Sequence, residues 1–345
     1  MKITGAVFIK MPLLGQTLDE LEKLAVELGM PSFASRQIAD WLYKKQVRTI
    51  DAMTNLPLKG REKLKENYTV GCSDYSQVQN SADGTRKYLF SVAGNKFVET
   101  VYIPDKERAT ICISSQVGCK MNCMFCMTGK QKFTSQLSSS EIINQILSLP
   151  ESKQLTNYVF MGMGEPLDNS GELFKTLEIL TADYGLALSP KRITVSSVGI
   201  LPELKRLLDE TQCHVAISLH SPYHEERLSL MPVEKAFPAE KVIELIKQYD
   251  FSHQRRISFE YILFGGLNDD RKHARDLAHL LSDIPCRVNL IKYHPIPGVN
   301  LPETNVERMI PFRDYLSSHG IISTIRSSRG EDILAACGML STIKN

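Results

Sequence analysis

The sequence has no uninterrupted apolar run of membrane-spanning length. Its opening stretch, MKITGAVFIKMPLLGQ, is cut by Lys10 and offers no small-residue cleavage site, so a cytoplasmic protein with no membrane partner is expected. Net charge is also scarce. The 41 basic and 39 acidic residues leave a formal +2, so nucleic-acid binding must rest on local basic patches and not on a global field. No glycine-rich loop follows the first strand of the α/β region, which argues against a doubly wound dinucleotide-binding sheet. A second C-x2-C pair is missing as well. The run GCKMNCMFC, residues 118–126, gathers Cys119, Cys123 and Cys126 with no fourth thiol close by. In a reducing compartment the chain's eight cysteines are not a disulfide framework, and clustered thiols favour metal binding or catalysis.

The first part of the chain reads as short helices. Thr17 and Glu20 have capping-box spacing, and Leu21, Leu24, Ala25 and Leu28 follow at helical period before Gly29. A second helix is expected from Ser32 or Ser35, with Ile38, Trp41 and Leu42 on one face. Basic residues trail these helices: Lys44, Lys45, Arg48, Lys59, Arg61, Lys63 and Lys65. Such charges are ordinarily a solvated surface, but a basic helical module ahead of an enzyme domain can also grip phosphates. RKYLFSVAGNKFVETVYIP then reads as a hairpin turning at Ala93-Gly94-Asn95. From residue 109 the pattern alternates strand, loop and helix. ATICISS, NYVFMGMG, RITVSS, HVAISLH, RISFEYILF and RVNLIKYH are the strands, and GIISTIRSS is a seventh strand-like run. The expected organisation is a helical module over 1–75, a hairpin linker over 76–104 and a parallel α/β partial barrel over 105–345. In such a barrel, side chains inside the strands should fill a core, and chemistry should sit on the C-terminal rim. On that rim fall the three cysteines, Gly164-Glu165-Pro166, Ser196 and Ser197, Ser218-Leu219-His220, and His294.

Three chemistries compete for the three thiols. A structural zinc wants four ligands, commonly two C-x2-C pairs, and only His220 or Cys213 could complete such a site. Burial as packing residues is a poor use of three cysteines on a loop with Gly, Lys and Asn. A four-iron cluster suits three thiolates and leaves one iron open to chelate a substrate or cofactor.

C-x3-C-x2-C with Phe125 before the last cysteine, after a first barrel strand, resembles the radical S-adenosylmethionine (SAM) superfamily, and MGMGEP (161–166) resembles its GGEP-type segment. More finely, FASRQIADWLY, FVETVYIP, ATICISSQVGC, MGMGEPL, KRITVSSVG, ISLHSP, RVNLIKYHPIPG and RSSRGEDILAACGMLS are similar to segments of the RlmN/Cfr family of ribosomal RNA adenine methyltransferases. The similarity is greater to its carbon-2 branch than to the carbon-8 branch.

The resemblance implies a partial (β/α)6 radical-SAM barrel behind a small N-terminal helical domain. It implies one [4Fe-4S] cluster on Cys119, Cys123 and Cys126, with SAM held by Gly164, Glu165, Ser196, Ser218, Leu219, His220 and His294. The family has Asn where this chain has His294, and an imidazole can match an amide in one hydrogen-bonding role only. Two SAM molecules would be consumed per turnover. Cys337 would carry the methyl group, Glu99 would accept the ring proton and Cys112 would resolve the adduct, ending in a disulfide with Cys337. Taken alone, Glu99 reads as an exposed strand residue and Cys112 as a buried packing thiol. Cys72, Cys213 and Cys286 are read as structural. Implied partners are 23S rRNA, with tRNA as a second candidate, and an electron donor such as flavodoxin or ferredoxin. Lys130, Lys132, Arg326 and Arg329 are candidate phosphate contacts. Rival readings are a carbon-8 methyltransferase, a radical SAM activase of a protein partner, and a non-enzymatic iron–sulfur regulator that binds nucleic acid.

Overall fold

The computed structural model describes residues 10–251 and 256–342. Two compact units emerge: one from the chain up to Asp74 with Leu137–Ser152 and Gly171–Ser189, the other from Tyr75–Gln136, Lys153–Ser170 and the chain from Pro190 onward. Among the described residues no helix is long and apolar enough to cross a membrane.

The first unit is helical. Helix α1 (Leu18–Glu27) starts at Thr17, whose hydroxyl accepts from the Glu20 N–H while the Glu20 carboxylate accepts from the Thr17 N–H. This capping box satisfies two otherwise orphaned donors. Helix α2 (Ala34–Ala39) runs into a π-helical turn, Asp40–Lys44, and α3 is Leu58–Asn67. Leu21, Leu24, Ile38, Leu42, Tyr43 and Leu64 form a core that also takes Ile143 and Ile179. Those two come from α5 (Ser139–Leu147) and α6 (Ser170–Thr181); α4, in the other unit, is the short Met127–Lys130.

The second unit is built on one ten-stranded sheet. In chain order its strands are β1 (Gln77–Asn80), β2 (Arg86–Val92), β3 (Lys96–Asp105), β4 (Arg108–Cys112), β5 (Asn157–Phe160), β6 (Ile193–Ser197), β7 (His214–Ser218), β8 (Ile257–Leu263), β9 (Cys286–Lys292) and β10 (Ile322–Ile325). Neighbours in the chain are neighbours in the sheet throughout. Strands β1 to β4 pair antiparallel, and β4 to β10 pair parallel. Parallel pairing needs a crossover. Its later crossovers contain α7 (Leu201–Glu210), α8 (His224–Leu230), α9 (Ala239–Ile246), α10 (Arg271–Leu280) and α11 (Val306–Ser318). Six strand–crossover units in sequential order, with a seventh parallel strand at the edge, make the expected partial (β/α)6 barrel. The hairpin at Ala93–Asn95 is also present, with Gly94 and Asn95 both at positive φ, and its strands extend the same sheet.

One expectation needs correction. Strand interiors are core on one face only. Ile111, Tyr158, Phe160, Ile193, Val195, Val215, Ile217, Phe259, Val288 and Leu290 are buried, and the positions between them are mostly polar, Val159 and Ala216 being exceptions. The apolar face is matched by buried stripes such as Leu204, Leu207 and Leu208 on α7 and Ala274, Leu277 and Ala278 on α10. That leaves the opposite face polar, and the candidate site occupies it.

Candidate active site

Register fixes the site. Residues directly opposite each other in adjacent strands share a face, as do residues two apart in one strand. Cys112 faces Val101 and Val159, and Val159 faces Thr194. Ser196 faces Ala216, Ser218 faces Glu260, Glu260 faces Asn289 and Asn289 faces Thr324. Through the hairpin, Lys87 faces Val101 and Leu89 faces Glu99. Lys87, Glu99, Cys112, Thr194, Ser196, Ser218, Glu260 and Asn289 therefore line one side of the sheet.

The cysteine loop leaves β4 and curls tightly. Gly129 packs on it so closely that a Cβ there would lie 3.0 Å from the backbone N and O of Cys123. Cys123 is buried, and Cys119 and Cys126 are half-buried. Burial pushes the Cys119 thiol up to about 12 and raises Cys123 and Cys126, with mutual repulsion adding to Cys119 and Cys123. The three thiols thus sit in one field. Among the described residues, however, no group of three His, Cys, Asp or Glu side chains is disposed to hold a single metal ion. A four-iron cluster takes each thiolate on a different iron and does not need them to converge on one point. The donor set is soft and lacks a fourth thiolate, so it fits the implied cluster better than zinc.

Beside the thiols stands Glu165. Gly164 precedes it at φ +100°, and a Cβ there would meet the Gln116 side chain at 2.5 Å, so only glycine allows this approach. Glu165 donates its N–H to Gln116 Oε1 (2.8 Å) and accepts from the N–H groups of Leu167 (3.1 Å) and Val198 (3.0 Å). Burial lifts its carboxyl to about 7, against the lowering effect of the Ser197 hydroxyl and those N–H groups. His220 occupies the left-handed region at φ +60°. Its Nδ1 accepts from the Ile262 N–H (3.0 Å), which leaves Nε2 as the donor, and its ring meets Phe125 edge-on at 4.8 Å. Burial, then Arg227, lowers His220 to about 3 and keeps the imidazole neutral. Ser196 and Ser218 are half-buried on the polar face, while Leu219 is buried and donates its N–H to Glu260 O. His294 is buried, bonds Ser328 Oγ through Nε2 (2.8 Å) and is lowered chiefly by burial.

The three residues expected to do the chemistry come together from distant parts of the chain. Cys112 is buried and its thiol is pushed up to about 12, by burial and then by Cys337. Cys337 is exposed, yet its thiol is raised by desolvation and by Glu260, with Arg326 opposing and Cys126 also in range. Cys337 is thus within electrostatic range of Cys112, Glu260 and Cys126. Its segment is pinned to the cluster loop: Met127 N–H donates to Gly338 O (2.7 Å) and Thr128 Oγ1 to Leu340 O (2.7 Å). Glu99 is buried, not exposed. One of its oxygens accepts from the Ser341 N–H (2.9 Å) and the other from Lys87 (3.0 Å).

Several participants escape a reading of motifs. Lys87 is one. Glu260 is another, held by Asn289 Nδ2 (2.7 Å) and Ser258 Oγ (3.2 Å). The alternation in RISFEYILF contains the signal for Glu260, since its polar positions fall two apart. Nothing local marks Lys87. Of the candidate phosphate contacts, Arg329 already pairs with Asp105 (3.4 Å).

Comparisons with known proteins agree with this geometry. Residues 113–278 match the Radical SAM superfamily and residues 11–70 the ribosomal RNA large subunit methyltransferase N-terminal domain. The chain is 61% identical to a probable dual-specificity RNA methyltransferase RlmN of Parabacteroides distasonis, over 97% of this chain and 98% of that one. It is 41% identical to the dual-specificity RNA methyltransferase RlmN of Desulfotalea psychrophila, over 96% and 95%. A crystal structure of a radical SAM methyltransferase from Sphaerobacter thermophilus superposes with a TM-score of 0.90 at 37% identity, over 96% of this chain and 99% of that one. With the motif, the polar sheet face and near full-length similarity in agreement, the chain belongs to the RlmN family of the radical SAM superfamily.

Proposed function

We propose that the protein methylates carbon 2 of an adenine in 23S rRNA, with tRNA as a second substrate, through a methylated Cys337. The observation that carries this reading is that the C-terminal segment lies against the polar sheet face beside the cysteine loop, with Cys337 in range of Cys112 and Ser341 bonded to Glu99. Cys119, Cys123 and Cys126 would hold one [4Fe-4S] cluster, and Glu165, His220 and the polar rim would hold SAM. When bound and reduced by a donor such as flavodoxin or ferredoxin, the cluster supplies a carbon-centred radical from SAM. Carbon 2 lies between two ring nitrogens and is too electron-poor to displace a methyl group as a nucleophile, so a radical route answers the difficulty.

Cys337 takes the methyl group from a first SAM by displacement. Its thiol is raised in the protein alone, so the deprotonation this step needs is favoured by Arg326 and by the sulfonium charge of the incoming SAM. Cys337 would present its S-methyl group first to the radical from a second SAM, losing a hydrogen atom to it, and then to carbon 2 of the base. Glu99 accepts the ring proton. Cys112, deprotonated, would attack the bridging sulfur and break the carbon–sulfur bond. The electron pair of that bond and a proton go to the methylene carbon to make the methyl group. The unpaired electron left by the addition returns to the oxidised electron donor, and a Cys112–Cys337 disulfide remains. The target adenine must be turned out of its stack to reach this face. The basic helical unit supplies phosphate contacts, and an RNA substrate suits a cytoplasmic site of action.

The two cysteines should fail differently. Cys337→Ala should keep its iron but form neither methylated protein nor RNA product. Cys112→Ala should still acquire the methyl group at Cys337 and add to adenine, so a nuclease-sensitive protein–RNA adduct should accumulate on denaturing gels. Normal turnover by Cys112→Ala, or adenine methylation by Cys337→Ala, would overturn the reading.

A further inference from the structure

We propose that Lys87 is a positioning residue for the proton-accepting carboxylate: its buried side chain pairs with Glu99, favours the charged form over the neutral acid and ties the carboxylate to the segment that carries Cys337. The inference rests on the reading of Glu99 as the base. Lys87 stands on β2, with its side chain only 8% exposed, and its Nζ lies 3.0 Å from Glu99 Oε1 and 3.3 Å from the carbonyl of Leu334. Lysine is almost never buried unless paired. Stability is a weak explanation for the pair, because hydrophobic residues of similar volume are often equal or better in such a position.

The contacts explain it better as equipment. The second Glu99 oxygen accepts from the Ser341 N–H, so the carboxylate is gripped from two sides. Each oxygen keeps a further lone pair, and the group can still receive a proton. Among the described residues, Lys87 is the charged group that acts on Glu99. The other contacts are the Ser341 N–H and, on the Glu99 backbone, the Ser114 hydroxyl on its carbonyl and the Met163 sulfur on its N–H. Burial is the larger effect and leaves the Glu99 carboxyl above its ordinary range, and Lys87, then the Ser341 N–H, oppose that rise. The second tie is to Leu334, a non-glycine residue at φ +54° three positions before Cys337. Met127 and Thr128 hold the same segment at Gly338 and Leu340, so the Leu334 tie sets Glu99 relative to the loop and is not what keeps Cys337 in place. In the step itself the C2 proton passes to a Glu99 oxygen, the C–H electron pair stays on the ring, and Lys87 gives up no proton.

The test uses the iron-loaded full chain with an RNA that contains the target adenine. Lys87→Met should leave SAM cleavage and Cys337 methylation intact while RNA product formation falls by about tenfold or more. The acid limb of its pH–rate profile should move to higher pH, because the cation that lowers the Glu99 pKa is gone. Lys87→Arg should restore part of the rate. In a Glu99→Gln background, adding Lys87→Met should cost nothing further, and this comparison decides the matter if the single variant does not fold. A wild-type rate and pH profile in Lys87→Met would overturn the proposal. So would a further loss in the Glu99→Gln background, or Cys337 methylation falling in step with product. Normal turnover by Glu99→Gln itself would instead remove the base assignment on which the proposal stands.

Discussion

Two buried ion pairs sit in the sheet unit, and they are built in opposite ways. Arg227 and Glu234 are 1% and 2% exposed, paired directly, and close to fully satisfied. Arg227 also donates to the carbonyls of Leu219 (3.2 Å), Val198 (2.9 Å), Ser218 (3.1 Å) and Phe237 (3.5 Å). Glu234 accepts from the Ala239 N–H (3.0 Å) and contacts His224 Nδ1 (2.8 Å). The pair thereby staples the loops that follow β6 and β7, the loops that present Val198 to Glu165 and set the backbone of His220. Lys87 and Glu99 make fewer bonds and keep lone pairs in reserve. A buried polar network with every group satisfied rigidifies its surroundings. One that leaves an acceptor open is available for proton transfer.

Breaking the first pair should give the largest effect. Glu234→Ala strands a buried guanidinium and should lower unfolding free energy by about 3–5 kcal/mol, read as a large fall in the thermal midpoint of the metal-free protein. A shift no larger than that of an exposed-surface substitution would remove its structural role. Glu99→Gln should do the reverse. RNA product formation should fall by about a hundredfold with SAM cleavage little changed. The thermal midpoint should fall less than for Glu234→Ala, because the variant's amide oxygen still accepts from the Lys87 ammonium. An equal loss of stability would make the second pair another staple.

A smaller effect belongs to His220, which lies beside the first pair. Its folded pKa, about 3, is below the ordinary value of 6.5, so its contribution is complete above pH 6.5 and is lost as pH falls towards 3. Wild-type protein should lose about 2 kcal/mol between pH 7 and pH 5 on this account. His220→Asn keeps an acceptor for the Ile262 N–H and tolerates the left-handed backbone, and it should flatten that loss in thermal melts. Identical pH slopes for the two proteins would argue that the imidazole is not held neutral. Least of all should His294→Asn matter. The amide can occupy one hydrogen-bonding role of the imidazole, so SAM affinity should stay within a few-fold, whereas His294→Ala should weaken it in equilibrium binding. Unchanged affinity in the Ala variant would take His294 out of the site.

Much of this was legible from local signals. Thr17 and Glu20 announce a capping box because the two side chains and the two N–H groups they satisfy lie within one helical turn. The thiols announce a metal because spacing and ligand softness are properties of a short segment. Gly164 and Glu165 stand where the rim was expected. What the sequence concealed is which alternating positions look inwards. RISFEYILF carries Phe259 and Tyr261 on one side and Ser258 and Glu260 on the other, and a single strand does not say which side a helix will cover.

By itself, then, the sequence determined the elements, their order and the donor chemistry of the cysteine loop, all of which depend on interactions within a few residues. Only the tertiary structure decided the site. Sheet register aligned Ser218, Glu260, Asn289 and Thr324 across four strands. The returning C-terminal segment brought Leu334 to Lys87, 247 residues away, and Ser341 to Glu99, 242 residues away. Contacts at such separation leave no periodicity or spacing in the chain. They form because the ordered sheet has already met the entropy of closing those loops, and a buried carboxylate on its polar face must then find partners wherever the chain supplies them.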